Sequence, residues 1–186
     1  DLATGEKVFE QQQDCAVHPI IPLQIAANAT IGLYDPAGDT ASKLEELGIT
    51  QIKPVEALTA ESLNGLRAII IGVDAPAPPK GGVQALSDFV EAGGKAILLG
   101  WRKGAQWTPF AKLGPAPASL EHTYCFVRAH DHPLMAGVDD TLLRLWSDDH
   151  VVSRGALTKS KGVGLNFIPI VDAGASAGGG LAYAPL

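Results

Sequence analysis

Several features are scarce in this sequence, and each scarcity excludes a class of protein. Only two cysteines occur, Cys15 and Cys125, and a pair so far apart defines neither a disulfide framework nor a zinc site, so we expect buried thiols. No apolar run approaches the roughly 20 residues that a membrane-spanning helix needs. The net charge of −6 argues against a nucleic-acid partner, because such proteins carry a basic face. No glycine fingerprint for a nucleotide is present, so we predict no cofactor.

What the chain does contain is enough apolar sequence for one domain. Its 186 residues are 46% hydrophobic, which supplies a core of ordinary size. The chain begins at Asp1 without an initiator methionine and stops within an apolar run, so we expect a piece of a longer protein. Residues 1–28 include the polar run Gln11 to Gln13 and two prolines, Pro19 and Pro22, that favour extended chain. We interpret them as an arm or the end of a preceding β-domain, with a flexible linker as the alternative. Residues 29–186 are predicted to form an α/β domain.

Strands and helices alternate in the first half of the sequence. The predicted strands are 30–35, 49–55, 67–74 and 96–99, and the predicted helices are 40–47, a short one opening at Thr59, and 83–93. This alternation predicts a parallel sheet with helices on both faces and Ile69 to Ile71 at its centre. Leu44 and Leu47 should face inward. The uninterrupted apolar run 96–99 is typical of a strand that is covered on both sides.

The second half of the sequence is less regular. Residues 124–127 are predicted to form a strand and residues 141–146 a short helix. Further strand candidates are 151–152, 167–171 and 181–186.

Ligands of parallel sheets bind at the carboxyl ends of the strands, which directs attention to Asp35, Asp74 and Gly100. After the strand 96–99 comes Gly100-Trp101-Arg102-Lys103-Gly104. Glycines on both sides of one residue after a strand are typical of a nucleophile elbow. Here that residue is Arg102, whose permanently charged guanidinium cannot act as a nucleophile. The alternative is that these glycines belong to an ordinary loop.

Other residues could carry chemistry, and each has a structural alternative. Asp35, Asp74, Asp148 and His150 form a candidate ligand crevice, and the aspartates could equally cap helices. His130 and His132 together with Asp148 and His150 have donor types suited to a metal, but local packing explains them as well. An acidic glycosidase pair and a displaced Cys125 nucleophile are the weaker alternatives. Trp101 and Trp107 could stack on a sugar or fill an interface. We predict no catalytic residue and no metal.

The order of several segments resembles the class I glutamine amidotransferase-like superfamily. The segments are residues 67–74, 86–95 and 100–104, the stretch His132-Pro133-Leu134-Met135-Ala136-Gly137, and residues 147–152. The resemblance implies a flavodoxin-like, doubly wound, mainly parallel sheet with helices on both faces. Members carry a cysteine at the elbow and a histidine on a later loop. This chain has Arg102 at the elbow and lacks the His-x-Glu pair that supplies the base.

These departures make the chain similar to non-catalytic members attached to bacterial glycoside hydrolases, such as the trimerisation domain of β-galactosidases. The resemblance implies an accessory domain of a carbohydrate-processing protein, acting in assembly or ligand contact. Its partners would be adjacent domains, further copies of the chain, or a carbohydrate, and its compartment stays open between periplasm and secretion. The alternatives are a hydrolase or amidotransferase with an unconventional site, and a small-molecule binding module. We also expect the elbow loop to contact a partner, with Arg102 paired to a carboxylate.

Overall fold

The fold is taken from a computed structural model. It describes residues 10, 26, 28–73, 75–99, 115–118, 122–144, 151–153, 156–159, 170–173 and 182–183. These residues form an α/β structure with two sheets, one of four strands and one of five.

The four-stranded sheet lies in the first half of the chain, where the alternation of strands and helices predicted it. Its strands are β1 (Ile31–Tyr34), β2 (Lys53–Pro54), β3 (Ala68–Ile71) and β4 (Lys95–Leu98). All three pairings are parallel, and the order is β2-β1-β3-β4. The prediction that residues 69–71 lie inside a parallel sheet is confirmed, because β3 pairs with β1 and β4.

Three helices connect these strands: α1 (Asp39–Glu46), α2 (Ala60–Leu63) and α3 (Lys80–Glu91). The helix predicted to open at Thr59 is confirmed, since Thr59 and Ser62 cap the start of α2 reciprocally. At the end of α1, Gly48 adopts a φ of 78°. Gly48 donates its N–H to Glu45, and Ile49 donates its N–H to Leu44, which is the Schellman arrangement that glycine permits.

This helix ending corrects two predictions. The second strand is only Lys53–Pro54 rather than 49–55, because Ile49 is used in the hydrogen bonds that terminate α1. Leu47 is 54% exposed instead of facing inward, since it is the residue that follows the last helical turn. Leu44 is half-buried.

The helices divide between the two faces of the parallel sheet. The chain moves one way from β1 to β2 and the opposite way from β2 to β3 and β4. Because crossover connections are right-handed, α1 lies on one face and α2 and α3 lie on the other. The main core fills the face of α2 and α3. It consists of Tyr34, Val55, Leu58, Leu63, Leu66, Ile69, Ile71, Ala75 and Leu86.

The face of α1 is covered unevenly. Leu33 of β1 is buried at 7% exposure, whereas Ile97 of β4 is 48% exposed and the following Leu99 is 45% exposed. Ala96 and Leu98 alternate with them and pack against the core on the other face. The prediction that both sides of 96–99 are covered is therefore wrong. An apolar strand can show the doubly buried pattern while one of its faces stays open.

The second sheet is antiparallel throughout, which the sequence did not predict. Its strands are β5 (Pro115–Ala118), β6 (Cys125–Val127), β7 (Ala156–Lys159), β8 (Val171–Ala173) and β9 (Ala182–Tyr183). Their order is β5-β7-β9-β8-β6. The predicted strand 124–127 is confirmed in β6. The predicted strand 167–171 overlaps β8 only at Val171, since β8 begins there and ends at Ala173. Residues 167–169 lie outside the described residues.

The helix predicted over residues 141–146 is wrong in its described part, 141–144. The Asp139 carboxylate accepts the N–H groups of Thr141 and Leu142, which closes a turn instead of a helix. Arg144 then forms an isolated bridge with Tyr124. Residues 145 and 146 lie outside the described residues.

Candidate functional site

The carboxyl edge of the parallel sheet is the first candidate, since the strand order changes direction between β1 and β3. Asp35 follows β1 and Gly72 follows β3. The two strand ends are joined by a hydrogen bond of 2.9 Å from the Gly72 N–H to the Tyr34 carbonyl. The structure therefore places Asp35 at the sheet position from which sequence reasoning selected it.

The Asp35 carboxylate caps a helix. Its Oδ2 accepts the N–H of Ala41 in the first turn of α1 at 2.9 Å. The residue before α1 is Gly38, which has no side chain to cap with, so Asp35 supplies the acceptor from three residues earlier. A negative charge is also favourable at a helix N-terminus. This is the capping role that the sequence left open for the aspartates.

One oxygen of the Asp35 carboxylate is enclosed by its neighbours. Its Oδ1 is buried without a hydrogen-bond partner. A Cβ at Gly72 would overlap this oxygen and would lie 2.9 Å from Thr40 Oγ1, so glycine is needed there. Thr40 is buried, and its hydroxyl accepts the Val73 N–H at 2.8 Å. Asp35 therefore joins the end of β1 to α1, and Thr40 joins α1 to the residue after Gly72.

The other members of the predicted sites lie outside the described residues. They are Asp74, Gly100, Trp101, Arg102, Lys103, Gly104, Asp148 and His150. Of the alternative metal donors, His130 is exposed, and His132 Nδ1 accepts the Leu134 N–H at 3.2 Å to cap the 3₁₀ turn Pro133–Met135. Within the described ranges, no group of three or more His, Cys, Asp or Glu side chains is placed to hold a metal ion.

A buried ion pair in the antiparallel sheet was not found by sequence reasoning. Asp172 lies in the middle of β8 opposite Phe126 and is 1% exposed. Its Oδ2 accepts a hydrogen bond of 2.6 Å from Arg128 Nη1, while its Oδ1 is buried without a hydrogen-bond partner. The Arg128 side chain is half-exposed, so the buried Asp172 carboxylate is paired with a cation that water still reaches. The only signal in the sequence is an acid between the apolar residues Val171 and Ala173.

His122 is the second buried polar residue that sequence reasoning missed. It is 3% exposed, and its backbone is bridged to Ser153. Its Nε2 is buried without a hydrogen-bond partner. Cys125, three residues later, is buried as predicted, and Cys15 lies outside the described residues. A buried imidazole and a buried thiol are not positioned for solvent-borne substrates, so we assign both to the packing of this sheet.

The exposed apolar residues of the parallel sheet form a continuous surface. Ile70 of β3 is paired in register with Ile97 of β4, and Leu99 follows on the same side of β4. We call these three residues the β4 apolar face. Ile70 is half-buried, and the other two are nearly half-exposed. Large contiguous apolar patches are common at interaction sites, which makes the β4 apolar face a candidate docking surface.

A groove of about 730 Å³ lies at the opposite, amino-terminal edge of the same sheet. Leu63, Leu66 and Phe89 contribute apolar walls, and Arg67 and Lys95 lie on its rim. Both α2 and α3 end beside the groove, at Leu63 and Glu91. Two cations that line a groove beside helix ends do not by themselves indicate a ligand.

No helix within the described part of the chain has the length and apolar character to cross a membrane. Scans of the chain against protein-family models, curated proteins and solved structures each returned no match.

Proposed function

We propose that this chain is a non-catalytic accessory domain that docks against another protein surface within a larger, carbohydrate-processing protein. The observation that carries the proposal is the β4 apolar face, where Ile97 and Leu99 are 48% and 45% exposed beside a well-packed core. Because each side chain is about half exposed, complete burial by a partner would contribute about 1 kcal/mol for each one. A partner that docks on the β4 apolar face would bury these side chains.

The fold that we propose for the domain is the flavodoxin-like, amidotransferase-like one. The order β2-β1-β3-β4 agrees with the first four strands of the flavodoxin order 2-1-3-4-5. A doubly wound sheet also requires helices on both faces, and here α1 lies on one face while α2 and α3 lie on the other. The sequence resemblance adds the elbow segment after β4, and the parent protein's class, a glycoside hydrolase, rests on that resemblance.

The elbow segment supports the same function from the sequence side. It begins at Gly100, directly after Leu99 of the β4 apolar face. Trp101 and Arg102 are residue types enriched at the energetic centres of interfaces. We propose that Arg102 pairs with a carboxylate of the partner. Arg102→Ala should then weaken assembly by about 1–3 kcal/mol if the pair is buried.

The test is the assembly of the parent protein, measured by light scattering over a dilution series. Ile97→Lys should shift dissociation to at least tenfold higher protein concentration, because burying an unpaired ammonium is costly. Leu134→Lys is the matched control, since Leu134 is an aliphatic residue of even greater exposure, 63%, in a turn of the other half of the chain. An Ile97→Lys protein that dissociates like wild type would contradict the docking function.

The enzyme alternative has its own assay. The domain should hydrolyse neither glutamine nor simple esters above background, because the elbow position holds Arg102. Turnover that survives Cys125→Ala and disappears in Arg102→Ala would favour an unconventional active site over the docking function.

A further inference from the structure

We infer that the groove at the amino-terminal edge of the parallel sheet binds a small amphipathic carboxylic acid. The apolar body of the ligand would lie against the groove walls, and its carboxylate would lie between Arg67 and Lys95. This inference goes beyond the proposed docking function and does not depend on it, because no residue of the β4 apolar face lines the groove. It is carried by the size of the groove, its walls and its charge.

The groove has the volume and the walls of a small-molecule site. Its volume of about 730 Å³ lies within the range of roughly 300–1,000 Å³ that such sites occupy. Leu63 and Leu66 belong to the main core, and Phe89 packs against that core. Walls that are fixed by packing can bury an apolar ligand body without having to be ordered first.

Two cations without an ion-pair partner lie side by side in this groove. The Lys95 N–H donates to the Arg67 carbonyl at 3.1 Å, so the two residues are neighbours on adjacent strands. Both are exposed and line the groove. Neither forms a salt bridge with another residue that the structure describes. Like charges on neighbouring strands repel each other, and an anion bound between them would relieve that repulsion.

The net charge of the groove is opposite in sign to that of the chain. Among the described residues that line it, the only acid is Asp88. The Oδ1 of Asp88 accepts a hydrogen bond of 2.7 Å from Gln84 Nε2, in the preceding turn of α3. The lining therefore carries two cations and one acid, on a chain whose net charge is −6. A local excess of positive charge favours an anionic ligand.

The end of α3 does not need these cations as hydrogen-bond donors. Gly93 adopts a φ of 97°, and the N–H groups of Gly93 and Gly94 donate to the carbonyls of Val90 and Phe89. This is a Schellman ending, which satisfies the last carbonyls of a helix within the backbone. Arg67 and Lys95 are therefore not required to satisfy these carbonyls.

A carboxylate is the anion that fits the pair best. The guanidinium of Arg67 can donate two parallel hydrogen bonds to the two oxygens of a carboxylate, and the ammonium of Lys95 adds a further donor. One negative charge also matches the single excess positive charge of the lining, whereas a phosphate dianion would exceed it. Attached to an apolar body for the walls, this group makes the ligand an amphipathic acid.

Isothermal titration calorimetry of the 186-residue chain with octanoate tests the inference. Octanoate should bind at one site, whereas octan-1-ol, which lacks the charge, and acetate, which lacks the apolar body, should each bind at least about tenfold more weakly. Arg67→Gln and Lys95→Gln should each weaken octanoate binding about tenfold. Lys53→Gln is the matched control, because Lys53 is an exposed lysine at the start of β2 that does not line the groove. Circular dichroism checks that each variant keeps its helices.

Amide chemical shifts then locate the probe. Gly65 and Gly93 line the groove, and Gly48 at the end of α1 has the same positive φ but does not line it. Octanoate should shift the amide resonances of Gly65 and Gly93 and leave that of Gly48 unchanged.

Four outcomes would overturn the inference. They are absence of octanoate binding, equal affinities for octanoate and octan-1-ol, equal losses in Lys95→Gln and Lys53→Gln, and amide shifts that spare both Gly65 and Gly93. Loss of octanoate binding in Ile97→Lys would also contradict it, because the probe would then lie on the β4 apolar face. None of these outcomes bears on assembly of the parent protein, so the groove and the docking function fail separately.

Discussion

The two sheets of this protein bury different kinds of side chain. The parallel sheet packs aliphatic residues, and Ile69, Ile71 and Leu86 are fully shielded from water. The antiparallel sheet has a small apolar cluster around Cys125 and Ala173, and Asp172 is the most deeply buried residue in its two strands with described burial, β6 and β8. Apolar burial is strong and indifferent to direction, whereas a buried carboxylate accepts few arrangements. In the described residues, the first sheet therefore buries an aliphatic core, and the second adds a directional ion pair to its apolar contacts.

The two regions also satisfy their buried carboxylates differently. Asp35 uses a backbone N–H at the start of α1, and Asp172 uses the guanidinium of Arg128. In each residue the other oxygen is buried without a hydrogen-bond partner. The partner of Asp35 is a backbone group that most substitutions leave in place, whereas the partner of Asp172 is a side chain, so a substitution at Arg128 should damage the antiparallel region by leaving a buried charge unpaired.

The largest effect should come from the apolar core. Ile69→Ala should lower the free energy of unfolding by about 4 kcal/mol, because it removes buried methylene and methyl groups and leaves a cavity. Ile97→Ala is the matched control on the neighbouring strand and should cost about 1 kcal/mol or less, since Ile97 is half in water. Urea unfolding followed by circular dichroism measures both. Equal losses would mean that the two faces of the parallel sheet are equally covered.

The second-largest effect should come from the ion pair. Arg128→Ala should lower the free energy of unfolding by about 3 kcal/mol, because it leaves the Asp172 carboxylate buried without its cation. Replacing both residues, Arg128→Ala with Asp172→Ala, should be less damaging than Arg128→Ala alone, since no charge then remains buried. Arg144→Ala, at an exposed arginine of the same half, serves as the control for chain-wide charge. If the double variant has a lower free energy of unfolding than Arg128→Ala alone, packing rather than charge dominates at Asp172.

The smallest effect is expected at the carboxyl edge of the parallel sheet. Gly72→Ala should cost about 1–3 kcal/mol through overlap with Asp35 Oδ1. Asp35→Ala should cost about 1 kcal/mol through loss of the cap on α1. The two changes should not add, because removing the carboxylate makes room for the new methyl group. Additive losses in a double-mutant cycle would place the overlap elsewhere.

Local signals account for what the sequence predicted well. The apolar run around Ile69 and the glycines after each helix specify the parallel strands and their alternation with helices, since both signals act over a few residues. The position of Asp35 followed from the same logic, because a residue directly after a parallel strand must lie at the carboxyl edge.

The antiparallel sheet could not be predicted in the same way. Its strands are as short as those of the parallel sheet, but no α-helix alternates with them in the described part of the chain, so no local signal predicts how they pair. The partner of Cys125 is Ala173, and the stretch of chain between them carries no periodic signal. Asp172 and Arg128 meet only because this pairing forms, so their ion pair is not visible from spacing. The same holds for the open side of β4, because its sequence is as apolar as that of a strand covered on both sides.

The brevity and composition of β2 have a consequence for growth of the parallel sheet. Both its residues, Lys53 and Pro54, are exposed, and in the described part of the chain β2 is the margin of the sheet. Proline has no N–H to donate to a further strand, and a lysine placed there opposes edge-to-edge aggregation. Lateral addition of strands is thus blocked on this side.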